Sequence, residues 1–214
     1  MSEAALQITA LNKNFGALQV ARDIDFTLAK GARHALIGPN GAGKTTFVNL
    51  ITGVLTPSSG FIKLADHDIT QLSQAQRSRL GLARTFQINQ LFRGLSVLEN
   101  ICMAIAERTG ASRSLFRPLG RHSDIIDEAI ELLQRLTLHN DALKPINQLA
   151  YGQQRLVEIA IALAQQPKVL LLDEPAAGVP SSQSQIILDV IDTLSENISI
   201  LIIEHDMEVV FRFA

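Results

Sequence analysis

The stretch GPNGAGKTT, from Gly38 to Thr46, is the strongest indication of the fold class of this chain. It meets every fixed position of the pattern G-x-x-x-x-G-K-[ST], and it lies between an apolar run, HALIG, and a helix-forming segment. Its glycines let backbone N–H groups wrap phosphates, and the N-terminus of the following helix adds partial positive charge. The pattern therefore predicts a nucleoside triphosphate site rather than an ordinary glycine turn, and its residues are Gly38, Pro39, Asn40, Gly41, Ala42, Gly43, Lys44, Thr45 and Thr46. We expect Lys44 to reach the terminal phosphates and the Thr45 hydroxyl to ligate Mg²⁺.

Two carboxylates follow the apolar run in VLLLDEP. Asp173 and Glu174 stand at its carboxyl end, where open α/β sheets gather their ligands. A first carboxylate there can hold Mg²⁺ through water, and a second can polarise the attacking water. A solvated turn would also place two acids after a strand, so the intact phosphate loop is what favours the metal and catalytic roles.

A histidine ends the next apolar run, ISILIIEHD. His205 is one of five histidines, and a structural role is usual for a lone one. Its strand is expected to end on the same edge as Asp173 and Glu174. We therefore expect His205 to reach a γ-phosphate and stabilise developing charge.

Composition narrows the remaining possibilities. The 214 residues are 47% hydrophobic, which is enough for one substantial core, and the formal net charge of -2 does not indicate nucleic-acid binding. A single cysteine, Cys102, excludes an internal disulfide and fits a reducing compartment. No basic, apolar secretory leader and no apolar run of spanning length are visible, which predicts a soluble chain.

The order of the elements predicts the architecture. Short alternating runs between Leu6 and Gly38 predict strands in hairpins, and residues 71–143 are mostly helix-forming. Ser73 and Ser96 each precede a Gln or Glu by three residues, which predicts a capping box at two helix starts. Strand–helix alternation on either side of the helical middle predicts a mainly parallel sheet covered on both faces.

A second glycine turn, LAYGQQR from Leu149 to Arg155, opens an apolar helix. It has the glycine and polar donors of a phosphate-binding turn, but alone it indicates no more than a helix start. Its place in the order GPNGAGKTT, TFQ, LAYGQQR, LLLDEP and IIEH is more specific. That layout resembles the ATP-binding cassette ATPases along almost the whole chain.

The resemblance implies a single α/β domain of the P-loop NTPase class, with a RecA-like core and a mainly parallel sheet. The expected division is an N-terminal antiparallel β-subdomain over 1–37, a nucleotide-binding core over 38–86 and 165–214, and an inserted α-helical subdomain over 87–164. ATP and Mg²⁺ are the implied cofactors. Family members usually continue further after the histidine, so we expect the C-terminus of this chain to be truncated.

Further site residues follow from the family. Two cassettes pair head to tail, and each glycine turn closes over the nucleotide in the partner's phosphate loop, so Tyr151, Gly152 and Gln153 are expected to line the partner's ATP. Gln87, in RTFQ, matches the glutamine that reaches Mg²⁺ and the attacking water. Phe15 matches the aromatic residue that stacks on adenine, with packing in the core as its alternative.

The matched segments depart from the family pattern at two places, and one further segment has two alternative roles. Ala150 and Tyr151 replace the serine and glycine of the commonest signature turn, so one hydroxyl donor is missing. Pro180 replaces an aspartate that communicates between ATP sites in many cassettes. The apolar residues of LFRGLSVLENI would border a groove for a membrane subunit's coupling helix or would form subdomain core; they are Leu91, Phe92, Leu95, Val97, Leu98 and Ile101.

Within the family, ARTFQ, LFRGLSVLEN, LAYGQQR and LLDEPAAG resemble the branched-chain amino acid importer branch. The resemblance implies an ATPase subunit that powers uptake of branched-chain amino acids or a related small polar solute such as urea or amides. Expected partners are a second cassette (identical or paralogous), two transmembrane permease subunits and, indirectly, a solute-binding protein, with no nucleic acid. The expected location is the cytoplasmic face of the cell membrane, as a peripheral subunit.

Three other functions compete. A soluble cassette ATPase acting on ribosomes or DNA would usually carry two cassettes or long heptad arms, which this chain lacks. A P-loop small-molecule kinase would not need Gly152, Gln153 or His205. A nucleotide-binding module that cannot dimerise would bind ATP without turning it over.

Overall fold

The structure is a computed structural model that describes residues 3–39, 41–85, 91–111 and 123–213. Contacts divide the chain into two compact units. The first unit comprises Met1–Arg84, Pro167–Glu174 and Leu194–Ala214, and the second comprises Thr85–Gln166 and Pro175–Thr193. Each unit is therefore built from segments that are distant in the sequence.

The elements are numbered along the chain. The strands are β1 (Ala4–Phe15), β2 (Leu18–Ala29), β3 (Arg33–Ile37), β4 (Ser59–Leu64), β5 (His67–Asp68), β6 (Leu82–Arg84), β7 (Val169–Asp173) and β8 (Ser199–Glu204). The α-helices are α1 (Lys44–Thr52), α2 (Gln74–Arg79), α3 (Val97–Thr109), α4 (Ser123–Arg135), α5 (Tyr151–Ala164), α6 (Ser181–Asp192) and α7 (Met207–Phe213). The predicted α/β class is confirmed.

An antiparallel sheet of order β2-β1-β4-β5 lies in the first unit. The β1–β2 hairpin turns at Gly16, whose φ of 59° suits a residue without a Cβ. The predicted hairpins are thus present for β1 and β2, but the prediction is wrong for β3, which pairs in parallel with β8. The antiparallel part is completed by β4 and β5 instead, so it does not coincide with residues 1–37.

The second sheet of this unit is wholly parallel, with the order β3-β8-β7-β6. Every residue of β8 is buried, as are the first four of β7, which explains why both read as unbroken apolar runs. The core of the unit joins this sheet to α1 and the antiparallel sheet. It includes Leu171 and Leu201 of the strands and Phe47 and Ile51 of α1.

A buried arginine ties α2 to the end of α1. Arg77 is 1% exposed, and its guanidinium donates to the carbonyl oxygens of Leu50 at 2.7 Å and Ile51 at 2.6 Å. It donates also to Thr70 O and Leu72 O, both at 2.9 Å. Burial lowers the pKa of Arg77 from its ordinary value. The bonds to Leu50 O and Ile51 O satisfy carbonyls that the last turn of α1 leaves without helical partners.

The second unit is helical, with α3, α4 and α5 packed together and α6 against α5. Ser96 begins α3 with a capping box to Glu99, and Ser73 begins α2 in the first unit with one to Gln76, as predicted. The sequence-based division differs here as well, because it placed residues 175–193 in the nucleotide-binding core. The packing of α6 on α5 places Pro175–Thr193 in the second unit.

Within the described ranges, no helix combines the length and the apolar character that crossing a bilayer requires.

Replacing Arg77 with methionine tests the buried arginine. Because four carbonyls would lose a guanidinium donor, three of them in buried surroundings, we expect the free energy of unfolding to fall by on the order of 3 kcal/mol. Chemical denaturation of the purified chain measures this. The matched control is Arg79→Met, at an exposed position of the same helix, for which we expect a change below about 0.5 kcal/mol. Equal losses in the two variants would contradict the anchoring role.

Candidate functional site

The register of the parallel sheet brings three predicted site segments to one edge. Ile37 of β3 pairs with Glu204 of β8, and Asp173 of β7 pairs with Ile203 of β8. The three strands therefore end level with each other, and the residues after them lie at the same carboxyl edge. The phosphate loop comes after β3, Glu174 after β7, and His205 after β8. Open parallel sheets bind their ligands at this edge.

The phosphate loop is shaped by two glycines with positive φ, Gly41 at 81° and Gly43 at 88°. Gly43 is the residue that caps α1, and its carbonyl accepts from Phe47 N at 2.9 Å. Lys44 folds back over the loop, where its ammonium group donates to Gly38 O at 2.5 Å and Pro39 O at 3.0 Å. The lysine charge is thus held over the loop at the start of a helix, which is the arrangement that attracts phosphate.

Glu174 and His205 meet at the sheet edge. Glu174 Oε1 lies 3.2 Å from His205 Nδ1, and both side chains are partly exposed. The backbone of Glu174 has a φ of 46°, which is uncommon for a residue with a Cβ, and its N–H donates to Ile203 O at 3.0 Å. This bond to β8 holds the unusual backbone angle in place, so the carboxylate is aimed by the neighbouring strand.

A buried carboxyl that the motifs did not single out lies behind this pair. Glu204 is 3% exposed at the end of β8, and its Oε2 accepts from His205 N at 3.2 Å. Burial raises the pKa of Glu204 above its ordinary value, against the lowering effect of the backbone donors of His205 and Asp206. An acid within the apolar run IIEH was the signal for it in the sequence.

An arginine also belongs to the site and was missed. Arg84, at the end of β6, donates through Nη2 to Asp173 Oδ2 at 2.6 Å and through Nη1 to Asn49 Oδ1 at 2.9 Å. Its side chain is 15% exposed, against 31% for that of Asp173. The guanidinium therefore links α1, which carries Lys44, to the carboxylate of β7. A charged residue ending a short buried run, LAR, was the available signal.

Phe15 lies at the end of β1, where 47% of it is exposed. Lys13 Nζ stands 5.0 Å from the centroid of its ring. The alternative of packing in the core is therefore wrong for this residue. An aromatic face on the surface of the first unit is what stacking with a base requires.

The second glycine turn begins α5 in the second unit. Gly152 N donates to Gln183 Oε1 at 3.2 Å, and Gln153 Nε2 donates to Asp141 Oδ2 at 2.5 Å. Gln153 Oε1 also accepts from Ala150 N at 3.0 Å, so this side chain satisfies the amide of the residue that precedes α5. Both donors of the turn are thus engaged within the unit.

A charged row follows along α5. Arg155 donates to Glu158 Oε2 at 2.9 Å and to the hydroxyl of Tyr151 at 3.3 Å, and its guanidinium lies 5.4 Å from the centroid of the Tyr151 ring. Glu158 Oε1 is buried and accepts no hydrogen bond. Burial raises the pKa of Glu158 to about 7, with Arg155 acting in the opposite direction. The prediction of an almost wholly apolar helix overlooked this pair.

The apolar residues between Leu91 and Ile101 differ in burial, which bears on whether each belongs to the subdomain core or could border a groove for a membrane subunit. Leu91, Val97 and Ile101 are buried and belong to the core of the second unit. Phe92 is 57% exposed and remains a candidate for contact with another subunit. Leu95 and Leu98 are half-buried. Pro180 directly precedes α6, with a φ of -55°.

Two predicted site residues, Asn40 and Gln87, lie outside the described residues. Of the others, the structure brings the phosphate loop, Asp173, Glu174 and His205 to one edge of the first unit. Tyr151, Gly152 and Gln153 form the start of α5 in the second unit.

Comparison with known proteins agrees with this geometry. The profile of the family described as "ABC transporter" matches residues 21–177. The high-affinity branched-chain amino acid transport ATP-binding protein LivG of Escherichia coli K12 is 39% identical over 217 residues, which cover 98% of this chain and 85% of LivG. The corresponding BraF protein of Pseudomonas aeruginosa is 35% identical, over 100% of this chain and 87% of BraF.

A solved structure shows the same fold. The ADP conformation of MJ1267, an ATP-binding cassette of an ABC transporter, superposes with a TM-score of 0.84 at 30% sequence identity. The match covers 98% of this chain and 85% of MJ1267. The predicted P-loop NTPase fold, with its parallel sheet, separate antiparallel sheet and helices, is confirmed.

The buried Glu158 predicts a pH dependence of stability. Its pKa is about 7 in the folded chain and about 4.5 when unfolded, so the folded state holds the proton more tightly. Stability is therefore lost as the pH rises from 4.5 to about 7, by on the order of 3 kcal/mol. Glu158→Gln removes this loss, and the difference in unfolding free energy between variant and wild type should grow over that interval and stay constant above it.

Denaturant titrations at pH 5, 6, 7 and 8 measure this difference. Glu131→Gln, at an exposed position of α4, serves as the control and should show a much flatter difference. A Glu158→Gln difference that does not change with pH would contradict the buried-carboxyl explanation.

Proposed function

This chain belongs to the ABC transporter family, and from that premise we propose that it powers import through partner membrane subunits. It is an ATP-hydrolysing subunit of the branched-chain amino acid importer type, acting on branched-chain amino acids or a related small polar solute such as urea or amides. The observation that carries the proposal is the 39% identity to LivG over 98% of the chain. The site at the sheet edge supplies the ATP-hydrolysing chemistry.

The phosphate loop holds the nucleotide. Backbone N–H groups of the phosphate loop bind the phosphates, and Lys44 exchanges its bonds to the carbonyls of Gly38 and Pro39 for bonds to the terminal phosphates. The exchange replaces neutral acceptors with charged ones, which strengthens the hydrogen bonds. The exposed ring of Phe15 stacks on the adenine.

Glu174 polarises the attacking water, and His205 holds the Glu174 carboxylate in position. The contact between Glu174 Oε1 and His205 Nδ1 fixes the carboxylate and leaves Nε2 as the ring nitrogen directed away from it. That nitrogen stabilises charge on the γ-phosphate as the water attacks. The bond from Glu174 N to Ile203 O keeps the carboxylate in place throughout.

The donor set fits Mg²⁺, a hard cation that prefers oxygen ligands and retains waters. The hydroxyl of Thr45 and the carboxylate of Asp173 supply such oxygens, and Gln87 is assigned to the same cation. When bound, Mg²⁺ would neutralise charge on the phosphates. This chain holds the two oxygen donors, Thr45 and Asp173, in place at the sheet edge.

We assign the second glycine turn to a partner's nucleotide. Two cassettes pair about a two-fold axis, and Tyr151, Gly152 and Gln153 of each close over the ATP of the other. Gly152 N then exchanges Gln183 Oε1 for a phosphate oxygen, and Gln153 Nε2 exchanges the carboxylate of Asp141. Gly152 N thereby exchanges a neutral amide oxygen for a charged phosphate oxygen, which strengthens that bond, whereas Gln153 Nε2 exchanges one anionic acceptor for another.

The proposed assembly contains this chain, a second cassette that is identical or paralogous, and two permease subunits, with a solute-binding protein acting on the permeases. The chain lies as a peripheral subunit at the cytoplasmic face of the membrane. The exposed ring of Phe92 is a candidate for the contact with a permease.

Glu174→Gln tests the catalytic assignment. Since the amide keeps the shape but cannot polarise water, we expect ATP affinity within about threefold of wild type and turnover lowered by about 10²–10⁴-fold. The ATP-bound dimer should persist on size-exclusion chromatography. The control Glu131→Gln lies on an exposed position of the second unit and should hydrolyse ATP like wild type. Near-native turnover by Glu174→Gln would refute the role of this carboxylate.

Affinity purification of the full chain from detergent-solubilised membranes tests the importer role. We expect the tagged wild-type chain to retain two apolar integral-membrane proteins, and Phe92→Asp to retain less of both, because a charge replaces an exposed aromatic ring. Recovery of ribosomes or DNA instead would support the soluble cassette alternative. ADP production that requires an added phosphate acceptor would support the kinase alternative.

A further inference from the structure

Arg84 stands between the helix that carries the phosphate-loop lysine and the carboxylate proposed for the metal. Its Nη2 lies 2.6 Å from Asp173 Oδ2, and its Nη1 lies 2.9 Å from Asn49 Oδ1. Asn49 is in α1, one turn beyond Lys44 and Thr45, and Asp173 ends β7. One guanidinium thus makes a charged bond to the proposed metal ligand and a neutral bond to the phosphate-loop helix.

The Arg84–Asp173 ion pair is partly buried, unlike an ion pair on an open surface. The Arg84 side chain is 15% exposed, and its Nε is buried without a hydrogen-bond partner. An arginine that loses a hydrogen bond by burial is costly unless its other bonds compensate. The bonds that remain are those to Asn49 and Asp173, so the guanidinium is held at the point where the two elements meet.

A positive charge this close to Asp173 opposes a second cation. Attraction between a carboxylate and a divalent ion is offset by the repulsion between that ion and a guanidinium within a few ångströms, and partial burial strengthens both. The nucleotide changes this balance, because its phosphates bring several negative charges to the loop. The metal is then attracted by phosphate as well as by Asp173.

We propose that Arg84 is a positioning residue that holds Asp173 and screens its charge, so that the divalent cation enters with the nucleotide and is not retained by the empty site. The inference rests on the proposed role of Asp173 as a metal ligand. It adds that the order of binding is set by an arginine outside the recognised motifs. Asn49 takes part by holding the guanidinium from the side of α1.

The test measures the binding of Mn²⁺ alone to the nucleotide-free chain, from the loss of its free-ion electron paramagnetic resonance signal. We expect Arg84→Gln to bind Mn²⁺ roughly tenfold more tightly than wild type, because one repelling charge is gone. Arg84→Gln combined with Asp173→Asn should lose that gain. The matched control Arg22→Gln removes an equal charge at an exposed position of β2 and should leave Mn²⁺ affinity within about twofold of wild type.

Asn49→Asp gives a second route that leaves Arg84 in place. A carboxylate at this half-buried position would compete with Asp173 for the guanidinium, so we expect Mn²⁺ affinity to rise severalfold. Arg84→Lys retains a positive charge and should stay within about twofold of wild type. Unchanged Mn²⁺ affinity in both Arg84→Gln and Asn49→Asp would overturn the proposal, as would a tenfold gain in Arg84→Lys.

Asp173→Asn separates this inference from the proposed function. If this variant binds Mn²⁺ with ATP as tightly as wild type, Asp173 is not a metal ligand and the proposed metal role fails. If it loses nucleotide-dependent Mn²⁺ binding while Arg84→Gln has no effect on Mn²⁺ alone, only the inference about Arg84 fails.

Discussion

The parallel pairing of β3, β8 and β7 is the constraint on which the site depends. Because Ile37 is level with Glu204, and Asp173 with Ile203, the segments after the three strands share one edge. A shift of one of these strands by one residue would move the segment that follows it by about 3.3 Å along the sheet. The packing of the sheet therefore fixes the relative heights of the phosphate loop, Glu174 and His205.

Polar side chains at this edge hold one another in place. Arg84 pairs with Asp173, His205 contacts Glu174, and Glu204 lies buried beneath them with a raised pKa. Each pair limits the rotamers of a side chain before any ligand arrives, which reduces the ordering that binding and reaction require. The Lys44 ammonium is likewise held by the carbonyls of Gly38 and Pro39.

In the helical unit, the polar groups at the start of α5 are likewise held by hydrogen bonds within the unit. Gly152 and Gln153 are expected to bind phosphate, and both are occupied by acceptors of their own unit, Gln183 and Asp141. The Gly152 N–H and the Gln153 amide therefore keep hydrogen-bond partners in the separate chain. Gln153 also satisfies the amide of Ala150, because its Oε1 accepts from Ala150 N.

Short motifs could be identified from the local sequence because they depend only on spacing along the chain. The phosphate loop, the acids after VLLL, the histidine after IIE and the two capping boxes are short motifs, and a motif keeps its geometry because its residues are covalently close. The membership of β3 in the parallel sheet was mispredicted because an alternating run suits either kind of sheet.

The amino-acid sequence alone identified the chemical groups of the site: a phosphate loop, two carboxylates and a histidine at strand ends, and a glycine turn that opens a helix. The tertiary structure alone decided which groups contact each other. The bond from Arg84 to Asp173 spans 89 positions, and that from Gly152 to Gln183 spans 31. Such contacts are set by sheet register and helix packing, which depend on the whole core and not on any local pattern.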